Sequence, residues 1–169
     1  DMLEQTLESL AASEIGDARV LLLLNGCTDH SAQAVKRFPG RFPGGFDVLE
    51  LPVNVGAPAA RNWLIAHEAV QQSDYTAFLD DDVELQPDWL PRLLSVAEAD
   101  TRCGVVGCKV VCPGRPAMIQ NLYRHVGIAK EGLLKMALNA PVAWDNNLYA
   151  FVRQTRNVMG CLHLFRTEA

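Results

Sequence analysis

Apolar residues recur three and four apart at Leu3, Leu7 and Leu10, a spacing that predicts an amphipathic helix over about 2–13. A short run of branched residues then predicts a strand over about 18–24, and the pattern repeats: helix about 31–38, strand about 46–51, helix about 58–72, strand about 75–79, helix about 87–99. Val20 to Leu24 and Tyr75 to Leu79 are apolar on both faces, as strands are when helices cover both sides of a parallel sheet. Beyond residue 100 the character changes. Cys103–Cys112, Met118–Ile128 and Leu148–Leu164 are rich in strand formers and separated by Gly, Pro and Asn, which predicts a mixed or antiparallel part. Phe38 to Gly45 reads as a turn-rich connection, and the sequence contains neither an internal repeat nor an interdomain linker.

With 169 residues and 49% hydrophobic content, the chain suits one globular domain that buries about 70% of its unfolded surface. A net charge of −5 without a cluster of Lys and Arg argues against a nucleic-acid surface. The longest apolar run, Val20 to Leu24, is far short of the ~18 residues that cross a bilayer, and the start lacks a signal-peptide pattern. The expected location is cytoplasmic, with peripheral membrane association through other segments left open. Both ends read as cut, since helical periodicity begins at once and the chain stops just past a strand-like run. Five cysteines, Cys27, Cys103, Cys108, Cys112 and Cys161, fall mostly in apolar surroundings and read as small core residues of a reducing compartment. No close Cys-x-x-Cys spacing supports zinc.

The densest chemistry lies at Asp80-Asp81-Asp82, where an apolar strand runs into three carboxylates and then a helix start. On extended backbone Asp80 and Asp82 would share one side and Asp81 the other, so two carboxylates would occupy one small volume. Their repulsion is relieved by a cation, and hard oxygen donors suit Mg²⁺ or Mn²⁺. The plainer alternative is a solvated turn beside a helix dipole. A calcium loop is excluded because Leu85 stands where the tight-turn Gly is required and Pro91 where the bidentate Glu belongs.

Five segments in this order resemble the nucleotide-sugar-binding half of a family-2-type glycosyltransferase of GT-A fold. Asn25-Gly26-Cys27-Thr28-Asp29 resembles the family's Asn-Gly-Ser-Thr-Asp turn, and Asn54-Val55-Gly56 with Ala60-Arg61-Asn62 its Asn-x-Gly and Ala-Arg-Asn segment. Phe78-Leu79-Asp80-Asp81-Asp82 with Pro87-Asp88-Trp89-Leu90 resembles the DxD strand and its following helix. Val106-Gly107-Cys108-Lys109 and Met159-Gly160-Cys161 through Phe165-Arg166 resemble two later strands. The resemblance implies a single, partial GT-A domain over 1–169: a Rossmann-like, mostly parallel sheet flanked by helices, with a nucleotide-binding part over 1–100 and the start of an acceptor-side part over 101–169. It also implies transfer of a sugar from a nucleoside-diphosphate donor, metal-assisted and inverting, to a glycan, lipid or protein acceptor. Asp82 would ligate the metal. Asp80 would contact ribose or sugar, Asp81 would support the metal or donor site, and Arg61 would reach the phosphates through its planar fork. Asn54, Gly56 and Asp29 complete the donor-binding set.

Each of these has a plainer role. Arg61 is also an ordinary helical Arg, Asn54 and Gly56 shape a turn, Asn62 can cap backbone groups, and Asp29 is a helix cap first and a site residue second. His30, His67, His125 and His163 lack ligand spacing. Leu24 stands where many relatives have an acidic residue that recognises the base, so the nucleobase stays open. The family's first strand would precede Asp1, and its general base would follow Ala169; Asp145 and Glu168 lie in no matching motif. Two alternatives remain at this stage. One is a haloacid dehalogenase-like phosphatase, whose site also begins Asp-x-Asp, and the other a non-catalytic donor-binding or structural fragment.

Overall fold

The computed structural model describes residues 2–128, 134–139 and 143–168. It divides into two compact units, one comprising 1–76, 81–92 and 167–169, the other 77–80 and 93–166.

In the first unit, helix α1 (Met2–Ala11) buries Leu3, Leu7 and Leu10, the stripe its periodicity predicts, together with Thr6. Strand β1 (Val20–Asn25) pairs in parallel with β2 (Phe46–Leu51), Val20 opposite Phe46 and Asn25 opposite Leu51. Between them lie the five-residue helix α2 (Ser31–Val35) and a connection anchored by Phe38 and Phe42, both buried, with Phe42 stacked on Phe46 at 5.1 Å. Glu4 and Glu8 of α1 form ion pairs with Arg37 and Arg41.

The predicted helix over 58–72 is instead two helices, α3 (Ala57–Ile65) and α4 (Glu68–Gln71). His67 causes the break: its backbone is extended (ψ 137°), and its Nδ1 accepts the Ala69 amide at 3.2 Å, so it caps α4 rather than continuing α3. Strand β3 (Tyr75–Leu79) falls where the sequence places it, and α5 (Trp89–Ala99) starts two residues later than expected.

The second unit is mainly strands: β4 (Val105–Gly107), β5 (Val110–Cys112), β6 (Arg115–Asn121), β7 (Tyr123–Ile128), β8 (Leu134–Asn139), β9 (Ala143–Trp144) and β10 (Leu162–Arg166). One ladder runs β3, β10, β4, with β10 antiparallel to β4; β5, β6 and β9 form a second, and β7 with β8 a third. Leu162, Leu164, Val106 and Ile119 are buried, and the Phe165 ring meets His163 edge-on at 4.8 Å. The expectation of strand across Leu148–Leu164 holds only from Leu162. Residues 151–156 are exposed, and Arg153, Gln154, Thr155, Arg156 and Asn157 offer no apolar face to pack.

Candidate functional site

Strand β1 ends at Asn25, and Gly26 then turns the chain with φ +65°. Its amide donates to the Leu51 carbonyl at 3.1 Å, and a Cβ placed on it would lie 2.2 Å from the Asn54 nitrogen. Only glycine lets the loop after β2 cross so closely over the end of β1. Side chains lock that crossing. Asn25 Nδ2 donates to Asn54 Oδ1 at 3.2 Å, Asn25 Oδ1 accepts the Val55 amide at 2.9 Å, and Asn54 Oδ1 also accepts the Gly56 amide at 2.8 Å. Gly56, at φ +81°, is the N-cap of α3, and its carbonyl accepts the Ala60 amide at 3.0 Å. Ala60 is buried and Arg61, next on the helix, is half-buried.

Asp29 follows on the exposed loop after β1. Its Oδ1 accepts the Ser31 amide at 3.0 Å, which starts α2, and the Ser31 hydroxyl and amide together hold its carboxyl below the usual range. The N-cap of α2 is His30, whose side chain makes no cap, so Asp29 holds the first helical amide from one residue ahead of the capping position. Cys27 beside it is exposed, contrary to the core position expected of it, because it rides on the turn that Gly26 opens. The other four cysteines are half-buried. Burial, with a smaller contribution from Cys161, pushes the Cys108 thiol up to about 11, so it is no nucleophile at neutral pH.

The acidic triplet does not stay extended. Strand β3 stops at Leu79 and Asp81-Asp82 form a turn, so the alternation that would pair Asp80 with Asp82 does not apply. Helix α1 accounts for the turn: Thr6 Oγ1 donates to the Asp81 carbonyl at 3.0 Å, Ser9 Oγ accepts the Leu85 amide at 3.3 Å, and the Pro87 carbonyl accepts the Glu14 amide at 2.8 Å. Asp81 and Asp82 are exposed, and among the described residues nothing pairs with either carboxylate. Asp80 lies in the second unit, where its amide donates to the Cys161 carbonyl at 2.9 Å. Thr6 and Ser9 escaped the sequence reading. A polar residue within the apolar stripe of α1 marks Thr6 as unusual, but its partner 75 positions away leaves no local trace.

Among the described residues no three His, Cys, Asp or Glu side chains converge to enclose a cation. The donors present, exposed carboxylates at one turn, fit Mg²⁺ or Mn²⁺ completed by water and substrate phosphates rather than a cage made wholly of protein. Of the histidines, His67 caps a helix, His163 is buried in β10 and His30 is exposed at the start of α2; the side chain of His125 lies outside the described residues. Asp145 is bound by Lys109 and accepts the Asn147 amide, and the Lys109 ammonium lowers its pKa, the reverse of what a proton acceptor needs.

The model of the family described as "Glycosyl transferase family 2" matches residues 1–168. The chain belongs to that family. A solved structure, that of residues 1–349 of S. aureus TarS, superposes with a TM-score of 0.60 at 18% identity. The alignment covers 99% of this chain and 43% of that one, so the chain spans less than half of TarS 1–349. No curated protein matches the sequence at a significant level. The family and the likeness of fold agree with the α/β, GT-A reading and leave the phosphatase alternative without support. No described helix is long and apolar enough to cross a membrane.

Proposed function

We propose that this family 2 domain binds a nucleoside-diphosphate sugar and transfers the sugar, with inversion, to an acceptor alcohol on a glycan, lipid or protein. The observation that favours this most is the exposed Asp81-Asp82 turn, held from beneath by α1 while both carboxylates stay unengaged among the described residues. Two adjacent exposed carboxylates are hard oxygen donors open to a cation that keeps part of its water.

In this reading Asp82 holds Mg²⁺ or Mn²⁺ with Asp81 in support, Asp80 contacts ribose or sugar, and Asn54, Gly56 and Arg61 meet the nucleotide and its phosphates. Asp29, on the loop after β1, completes the donor-binding set. The cation, when bound, offsets negative charge that builds on the departing diphosphate. Arg61 does the same from α3 with two parallel donors. Residues 1–100 serve as the nucleotide-binding part, and those after 100 begin the acceptor side.

Thermal unfolding with and without ligands tests the proposal. Mn²⁺ with a matching nucleoside diphosphate should raise the Tm more than either alone, because ligands that bind only the folded state stabilise it by mass action. No shift with any of UDP, GDP, CDP, ADP or dTDP would leave a structural role.

A further inference from the structure

We infer that Asn25 is a positioning residue for donor binding: its carboxamide clamps the Asn54–Gly56 turn and thereby sets the start of α3, which bears Arg61. The inference rests on the donor-binding reading above, but the geometry behind it is separate from that reading.

The loop after β2 has almost nothing apolar to hold it. Val53 is 63% exposed and Val55 39%, and no regular structure links Leu51 to Ala57. What fixes it is a pair of carboxamides, Asn25 at the end of β1 and Asn54 within the loop itself. The orientations are self-consistent. Asn54 must present oxygen to the Gly56 amide, so Asn25 must present its NH₂ to that oxygen, which leaves Asn25 Oδ1 for the Val55 amide. Both polar atoms of Asn25 are thus engaged within the protein before any ligand arrives. A side chain so engaged acts on a ligand through the turn it holds.

The turn then delivers two things. Gly56 enters the left-handed region and opens α3, with Pro58 in its first turn. Ala60 packs inward, which fixes the azimuth of Arg61 beside it. A site organised before binding loses less conformational freedom on binding, so the clamp should appear in affinity rather than in fold.

Calorimetric titration of the Mn²⁺-loaded chain with the five nucleoside diphosphates tests this, using the unaltered protein, Asn25→Ala, Asn54→Ala and the double variant. Hydrogen exchange at the Val55 and Gly56 amides is followed without nucleotide. The expected result is faster exchange at Val55 in Asn25→Ala and a Kd about tenfold weaker, the size of one or two lost hydrogen bonds. Stoichiometry should be unchanged, and the double variant no weaker than Asn54→Ala alone, as for a residue that acts through Asn54. A merely structural Asn25 would instead lower the stoichiometry and leave the Kd of the folded molecules alone, which would overturn the inference. So would multiplicative losses in the double variant, which would mean that Asn54 and Asn25 act separately. If the unaltered protein binds none of the five nucleotides, the donor reading itself fails and the clamp's role in binding fails with it, whatever the exchange at Val55 shows.

Discussion

Gly26 occupies a point where two backbone segments nearly touch, and any Cβ there meets the Val53 carbonyl carbon at 2.4 Å as well as the Asn54 nitrogen. Its φ of +65° adds a second penalty. Gly26→Ala should therefore cost about 2–4 kcal/mol, read as a lower urea midpoint. Asp29 makes a different prediction. Its folded pKa lies below the ordinary carboxylate value, so its contribution to stability is present above that ordinary value and is lost as pH falls through the lowered one. The melting-temperature gap between the unaltered protein and Asp29→Ala should be open at neutral pH and close on acidification; a gap independent of pH would show that the Ser31 bond does not engage the charged form. Individual residues were legible to the extent that their role is local. The Asn-Gly turn and the role of Asp29 at the start of α2 could be read from adjacent letters, whereas Thr6 reaches a carbonyl 75 positions away, which no local pattern reports.

At the level of elements, the alternation of helix and strand through residue 99 could be read because buried strands and one-sided helices have different periods. The break between α3 and α4 could not. Ala66 and His67 are compatible with helix, and it is His67 Nδ1 accepting from Ala69 that tips the backbone out of it. His67→Leu should remove about 1 kcal/mol and speed hydrogen exchange at the Ala69 amide. If stability and exchange are both unmoved, the cap contributes nothing and the break has another cause. The second half was legible only as strand-rich. Short strands such as Val105–Gly107 and Ala143–Trp144 are defined by their partners, and pairing across tens of residues leaves little local signature.

For the molecule as a whole, charge and chemistry pull in opposite directions. A net charge of −5 repels an anionic diphosphate, so a nucleotide donor needs local compensation. In the proposed reading that compensation would come from the Arg61 guanidinium on α3 and from a divalent cation at the Asp81-Asp82 turn. The family match over residues 1–168 agrees with the order of motifs in the chain, and that order rather than any single motif made the family legible. What the sequence could not convey was that Asp81 and Asp82 bend into a turn gripped by α1, since that follows from tertiary hydrogen bonds.

The most direct test of the central claim is calorimetric titration of Asp82→Ala with nucleoside diphosphate in the presence of Mn²⁺. Asp82 is exposed, so its removal should leave stability within about 0.5 kcal/mol of the unaltered protein while metal-dependent nucleotide binding disappears. Undiminished affinity in that variant would contradict the account.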